Sequence, residues 1–147
     1  MLFIEPLFKI GSLQARQGCF GYADDVCQIV ASPSLETNIQ TLEAIAKEMQ
    51  QWGSQEGLLF DLGKSEIQHF SCSCKDSNPA LQIKSGDSLL DIHPPENNQA
   101  VRWLGIWFDR RLTFLPHCWV MAARARQAAR GIQSLANTAR RVNASLL

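Results

Sequence analysis

Two adjacent aspartates, Asp24 and Asp25, stand between two short apolar runs near the start of the chain. These runs are rich in aromatic or β-branched residues, which predicts a β-hairpin with the acid pair at its tip. Carboxylates on such a tip suit Mg²⁺, a hard cation that takes oxygen ligands and keeps waters or substrate phosphates. The alternative is that the two acids only form the turn, because aspartate tolerates turn conformations well.

The first ten residues have the apolar spacing of a helix end, and a long amphipathic helix is expected soon after the hairpin. Ser32 as the N-cap and Pro33 in the first turn predict its start. Apolar residues then recur at steps of three and four up to Trp52, a pattern typical of a helix packed on a sheet. Gly53 and Gly57 are expected to end it.

The rest of the chain predicts further strands and then a helical end. Two strands are expected within residues 58–71, on either side of Gly63, and a small hairpin within residues 81–92. Residues 101–108 are dense in apolar side chains and predict one strand. From Pro116 onward the composition favours a long helix, or a pair of helices broken near Gly131.

Charge is distributed unevenly along the chain, although the formal net charge is zero. Residues 1–100 hold 6 Lys/Arg and 13 Asp/Glu, a difference of −7, whereas residues 101–147 hold 8 Arg and one acid, Asp109, a difference of +7. This asymmetry indicates a basic surface suited to phosphate, attached to an acidic body. The alternative is an ordinary solvated helix face, but such faces usually mix the two signs.

The cysteines and histidines do not form a metal-binding or disulfide pattern. The five cysteines are odd in number and unevenly spaced, so they are expected to be reduced thiols of an intracellular protein, in the nucleus or cytoplasm. The three histidines, His69, His93 and His117, are far apart and are expected to be surface or structural residues. No stretch approaches the roughly 18 apolar residues that span a membrane.

Four segments carry a more specific signal. They read MLFIEPL at 1–7, FGYADDV at 20–26, FDLGKSEIQHF at 60–70 and RWLGIWFD at 102–109. The second is similar to the Tyr/Phe-Ala-Asp-Asp motif of reverse transcriptases, especially those of non-LTR (LINE-type) retrotransposons. The others resemble the helix end before that motif, the later palm motif with its lysine, and the primer grip. Their order and spacing agree with the family and cover nearly the whole chain.

The resemblance implies an α+β fold in two parts. Residues 1–100 would be a partial reverse transcriptase palm, made of antiparallel β-hairpins packed on an amphipathic helix. Residues 101–147 would hold the primer-grip strand and the start of a helical thumb segment. The implied activity is RNA-directed DNA polymerisation, a nucleotidyl transfer that uses two metal ions.

The resemblance also implies roles for single residues of the palm. Asp24 and Asp25 would be catalytic carboxylates that bind Mg²⁺ or Mn²⁺. Asp25 would orient the site more than it would ligate the metal ion directly. Tyr22 would lie near the primer terminus. Lys64 would assist the leaving pyrophosphate, although an ordinary exposed lysine is an equal alternative.

In the second part, the primer-grip positions are Trp103, Leu104 and Gly105. Burial in a strand would also explain the presence of Trp103 and Leu104. A glycine inside an apolar strand, such as Gly105, often marks a place where a ligand or another backbone comes close. The arginines expected on the thumb helix, along the template–primer backbone, are Arg124, Arg126, Arg130, Arg140 and Arg141. Phosphate contacts of this kind do not depend on nucleotide sequence and weaken as salt rises.

The implied partners are an RNA template, a DNA primer and a deoxynucleotide, together with an N-terminal fingers and palm segment that this chain lacks. Family members carry a further essential aspartate upstream of the hairpin, and no residue before Asp24 matches it. The chain alone is therefore expected to be catalytically incompetent, as a truncated retroelement copy, a gene fragment or part of a longer product. Alternatives are a noncatalytic nucleic-acid-binding or structural remnant, and an unrelated α+β domain.

Overall fold

A computed structural model describes residues 5–10, 16–73, 75–86, 88–96 and 99–144, with the side chains of 85 and 137–144 left undescribed. The chain divides into two compact units, Met1–Asn97 and Asn98–Leu147, here named the N-terminal and C-terminal units. The described residues form helices and three two-stranded antiparallel sheets. The fold class is α+β, as predicted. No helix in the described residues is long and apolar enough to cross a membrane.

The elements of the N-terminal unit are two hairpins and two helices. In chain order they are α1 (Glu5–Ile10), β1 (Gln17–Tyr22), β2 (Asp25–Val30), α2 (Leu35–Glu56), β3 (Leu81–Ser85) and β4 (Ser88–Ile92). β1 pairs with β2, and β3 pairs with β4. Both hairpins were predicted from alternating runs around turn residues. Residues 1–4 and 11–15, which include most of the first resembling segment, lie outside the described residues.

Helix α2 is the scaffold of this unit. Its N-cap is Ser34, whose hydroxyl oxygen accepts the Thr37 N–H. The predicted cap, Ser32, was wrong by two positions, because the Ser32 hydroxyl oxygen instead accepts the N–H of Ser34. The helix continues past the buried Gly53 and ends at Gly57, which adopts a left-handed φ of 74°.

The core of the N-terminal unit lies between α2 and the β3–β4 hairpin. Its buried members are Ile39, Ile67, Leu81, Ile83 and Ile92. α2 also contacts α1 and β2, so the same helix supports both hairpins. Helix α2 thus ties the β1–β2 hairpin to the rest of the unit.

Residues 58–71 do not form the two predicted strands. A short 3₁₀ helix, Leu62–Lys64, follows Asp61, and no strand pairing is present from residue 58 to residue 71. Ile67 and His69 are both buried, so alternate side chains of this segment point inward although it pairs with no strand in the described residues. The Nε2–H of His69 donates to the Pro79 carbonyl at 2.8 Å, which gives this histidine the structural role that was expected.

The C-terminal unit contains a third hairpin and one long helix. They are β5 (Val101–Trp103), β6 (Ile106–Phe108) and α3 (Leu115–Ala144). The single strand predicted for residues 101–108 was wrong, since the chain reverses at Leu104 and Gly105. α3 runs through Gly131 as one helix, so the uninterrupted alternative is the correct one.

Asp109 connects the third hairpin to α3. Its side chain is buried, and its carboxylate accepts the N–H groups of Thr113 and Phe114 and the hydroxyl of Thr113. The ring of Phe108 meets that of Phe114 edge to face at 5.8 Å. These contacts fix the turn from which α3 begins.

Candidate metal and nucleic-acid sites

The Asp24–Asp25 pair lies at the tip of the β1–β2 hairpin. Tyr22 pairs with Asp25, so Ala23 and Asp24 are the two turn residues. Both carboxylates are exposed to solvent. The register therefore presents Asp24 on the turn itself and Asp25 at the first position of the returning strand.

Ala23 has a φ of 54°, in the left-handed region that favours glycine. Two-residue hairpin turns need a positive φ at their first central position, because only such turns match the twist of the strands. The chain places an alanine there, so the backbone that carries Asp24 is strained. Strain of this kind is often found at functional sites.

We expect Ala23→Gly to raise the free energy of unfolding of the N-terminal unit by about 1 kcal/mol, because glycine adopts a positive φ without a Cβ clash. Urea titration followed by NMR signals of the β1–β2 hairpin measures this change. Ala31→Gly is the matched control, since Ala31 lies just after β2 without a positive φ. The control should lose stability, because glycine adds entropy to the unfolded chain. A loss of stability in both variants would contradict strain at Ala23.

The two faces of the hairpin differ in what they contact. The ring of Phe8, on α1, lies so close to Gly21 that a Cβ there would sit 2.6 Å from it. On the other face Tyr22 is 67% exposed, and Phe20 and Ile29 are also largely exposed. Tyr22 is thus free to meet a ligand beside Asp25.

Lys64 is placed in electrostatic range of the hairpin tip. Its ammonium forms an ion pair with Asp61 at 2.9 Å, and both groups are mostly exposed. The hydrogen bond and charge of Asp61, followed by the charge of Asp24, raise the pKa of Lys64 above its ordinary value. The lysine therefore remains a cation, and the charge of Asp24 acts on it.

Asp61 was not among the predicted site residues. Its hydrogen bond to Lys64 holds its own pKa below the usual value, so it is a carboxylate at neutral pH. The three-residue spacing to Lys64 was the available signal, because such a pair shares a face of one helical turn. The 3₁₀ helix between them was not predicted, and the pairing was missed with it.

The oxygen donors of Asp24 and Asp25 fit a hydrated Mg²⁺, which is commonly held by one or two carboxylates together with water and substrate phosphate. No group of three or more His, Cys, Asp or Glu side chains in the described part of the chain is arranged to hold a metal ion. The carboxylate pair therefore suits a shared protein–substrate site more than an all-protein cage.

The hairpin cysteines do not supply a nucleophile. Cys19, Cys27, Cys72 and Cys118 have free thiols, and Cys74 lies outside the described residues. Burial raises the pKa of Cys19 and of Cys27, and the neighbouring Cys27 raises that of Cys19 further. Both thiols stay protonated at neutral pH, whereas the thiolate is the reactive form.

The predicted primer-grip residues form the tip of the β5–β6 hairpin. Leu104 and Gly105 have φ values of 47° and 84°, as a two-residue turn with two left-handed positions requires. A Cβ on Gly105 would meet no atom within 4 Å, so the turn conformation, and not a close backbone approach, accounts for this glycine. Trp103 is half-buried at the base of the turn, and Leu104 is exposed.

Of the predicted thumb arginines, Arg124, Arg126 and Arg130 are exposed on α3, and the side chains of Arg140 and Arg141 lie outside those that the structure describes. Each residue of an α-helix turns the chain by about 100°, so Arg126 and Arg130 share a face and Arg124 lies on another. The predicted site residues thus fall into two groups. The group with Asp24 belongs to the N-terminal unit, and the group with Trp103 and the arginines belongs to the C-terminal unit.

No protein-family model, curated protein or solved structure significantly matches this chain.

Proposed function

We propose that this chain is part of an RNA-directed DNA polymerase of the non-LTR retrotransposon type. The observation that carries the proposal is the juxtaposition at the β1–β2 tip. Two exposed carboxylates, Asp24 and Asp25, stand on a strained turn, with the cationic Lys64 in electrostatic range of Asp24. Nucleotidyl transfer needs oxygen ligands for Mg²⁺ and a cation near the phosphates.

Each residue at the tip has a role in this proposal. Asp24 and Asp25 would hold Mg²⁺, and the bound ion would supply Lewis-acid chemistry for the primer 3′-hydroxyl and the departing pyrophosphate. Lys64 places a positive charge beside that pyrophosphate, and Asp61 keeps the ammonium protonated and oriented. Tyr22, exposed beside Asp25, supports the sugar or base of the primer terminus. One carboxylate pair does not hold two ions in the required geometry, so the chain alone is not expected to extend a primer.

Metal binding at the hairpin tip is the first test. Mn²⁺ is expected to broaden the amide NMR signals of Tyr22 to Val26 selectively, because a paramagnetic ion relaxes nearby nuclei, and excess Mg²⁺ should reverse the effect. Asp24→Asn with Asp25→Asn should abolish it, since both hard ligands lose their charge. Asp91→Asn is the matched control, because Asp91 is an exposed strand residue of the same unit. This variant should leave the broadening of the Tyr22 to Val26 signals unchanged. Equal broadening at other acids, or broadening that survives in the double variant, would refute the site.

Primer extension is the second test. The purified chain, supplied with an RNA template, a DNA primer, deoxynucleotides and Mg²⁺, is expected to give no product. Extension that Asp24→Ala abolishes would show a complete active site, and would contradict the proposal that this chain holds only part of one.

A noncatalytic nucleic-acid-binding role is the second candidate, and α3 favours it. Three exposed arginines lie on α3 (Leu115–Ala144), and the sequence from residue 110 to residue 147 contains no acid. Such a surface binds phosphates with strong salt dependence. The chain is expected to bind an RNA–DNA duplex, and its affinity should fall steeply as salt rises from about 50 to about 200 mM. No binding at low salt would leave only a structural role.

A further inference from the structure

An exposed tryptophan accompanies two of the arginines on α3. Trp119 is 68% exposed, and Arg126 and Arg130 are exposed as well. At about 100° per residue, Arg126 and Arg130 lie about 20° to either side of Trp119, at about 10 and 16 Å along the helix. These three residues are here named the Trp119 face.

Arg124 does not belong to this face. It lies about 140° around the helix from Trp119 by the same geometry. Like Arg126, only two residues away, it is positively charged and exposed to solvent. The helix therefore contains an internal control that separates a specific face from general positive charge.

The charge of the face favours a polyanion. Neither of its two guanidinium groups, those of Arg126 and Arg130, forms an ion pair with any residue that the structure describes. No acid occurs in the sequence from residue 110 to residue 147. The positive charge on this helix is thus not neutralised within the described chain and is available to phosphates.

The position of Trp119 argues against an anionic membrane as the partner. Ile132 and Leu135 are exposed apolar residues of α3, but they lie about 140° and 160° around the helix from Trp119. A helix that lies in a membrane interface buries its aromatic and aliphatic residues on one side. Here the indole lies with the arginines, so it cannot enter lipid together with Ile132 and Leu135.

We propose that the Trp119 face binds unpaired nucleotides, with the indole stacked on a base and Arg126 and Arg130 on flanking phosphates. This inference rests on the proposed nucleic-acid function and deepens it. Base stacking on an exposed aromatic side chain is how sequence-independent single-strand binders gain affinity. Inside a duplex both faces of each base are covered by neighbours, so an indole on a helix surface stacks only where bases are unpaired.

The test measures binding of the full chain to a single-stranded deoxythymidine 12-mer and to a blunt duplex of equal length. The single strand should bind more tightly, and it should quench tryptophan fluorescence in the wild-type chain but much less in Trp119→Leu, which keeps the other three tryptophans. Trp119→Leu should weaken single-strand binding about tenfold, and Trp119→Phe less, because phenylalanine still stacks. Trp119 is exposed, so neither change should unfold α3, and far-ultraviolet circular dichroism verifies this.

The arginines give the matched comparison. Arg126→Gln and Arg130→Gln should each lower the slope of log affinity against log salt by about 0.7. Arg124→Gln removes the same charge and should have much less effect, and Leu135→Ala should have none. Equal losses at Arg124 and Arg126 would overturn the Trp119 face, as would tighter binding to the duplex that Trp119→Leu leaves unchanged.

The outcomes also separate this inference from the proposed function. Duplex binding through the arginines with no role for Trp119 would refute the inference and leave nucleic-acid binding intact. No binding to either nucleic acid at low salt would refute both. Binding to phosphatidylserine vesicles that Leu135→Ala abolishes, in place of nucleic acid, would assign α3 to a membrane surface and overturn the inference.

Discussion

Replacing Ile67 by alanine is expected to lower the free energy of unfolding of the N-terminal unit by about 3 kcal/mol. Ile67 is 6% exposed and packs in the cluster with Ile39, Leu81, Ile83 and Ile92. The substitution removes one methylene and two methyl groups, which costs their transfer energy and leaves a cavity. The neighbours come from a helix and a hairpin and can collapse into it only in part.

Urea titration of the full chain, followed by NMR signals of β3 and β4, measures this loss. The midpoint should fall without a change in the denaturant slope, because the surface exposed on unfolding is nearly the same. Ile29→Ala is the matched control, since Ile29 is a strand residue of the same unit but is 44% exposed. It should cost less than about 1 kcal/mol. Equal costs at the two positions would show that the cluster around Ile67 is not the core of this unit.

The Ile67 cluster also positions the candidate site. Ile67 lies three residues after Lys64, in a segment with no strand pairing between residues 58 and 71. Side-chain packing therefore fixes the position of this segment, and α2, on which it packs, also contacts β2. Loosening Ile67 should free the segment that carries Lys64 before the β1–β2 hairpin itself is disturbed. In the Ile67→Ala variant, the amide hydrogen of Lys64 is therefore expected to exchange faster than that of Cys27.

Asp109→Asn is expected to destabilise the C-terminal unit by about 2 kcal/mol at pH 7. One carboxylate oxygen of Asp109 accepts the Thr113 N–H and hydroxyl, and the other accepts the Phe114 N–H at 2.8 Å. An asparagine presents an NH₂ group in place of one oxygen, so at least one N–H donor then faces another donor. Thermal unfolding followed by the amide NMR signals of β5, β6 and α3 measures the effect.

The pH dependence of this effect has a definite sign. Burial raises the pKa of Asp109, but the hydrogen bonds from Thr113 and Phe114 outweigh it and leave the pKa below the ordinary value. A carboxyl with a lowered folded pKa stabilises the fold fully above its unfolded pKa of about 3.9, and loses that contribution as pH falls through the folded pKa. The difference in free energy of unfolding between the wild-type chain and Asp109→Asn should therefore be constant near neutral pH and become smaller in acid.

Thr113→Val is the control for Asp109. It removes the hydroxyl, which donates to Asp109 and accepts the Leu115 N–H, but it keeps both backbone N–H bonds to Asp109. It should therefore cost about 1 kcal/mol and preserve the pH dependence. Because Asp109 is the only acid in residues 101–147, no other carboxylate in that segment can mask the result. If the loss in free energy of unfolding caused by Asp109→Asn did not change with pH, Asp109 would not be charged in the folded protein.

Local patterns in the sequence determined much of this fold. The β1–β2 hairpin with Asp24 and Asp25 at its tip, the amphipathic α2 and the arginine-rich α3 were all predicted, and the structure contains each of them. These elements depend on the period of apolar residues and on turn or cap residues, which act over a few positions. The cap at Ser34 instead of Ser32 was missed because two serines nearby offer the same hydroxyl.

Tertiary structure alone decided the rest. Residues 58–71 have the alternation of a strand, but they pair with no strand, and packing of Ile67 against α2 decides their path. Gly105 was expected inside a strand, and two left-handed residues reverse the chain there instead. The charge of Asp24 acts on Lys64 across 40 positions of sequence. No local pattern encodes this, because it depends on how the N-terminal unit packs around α2.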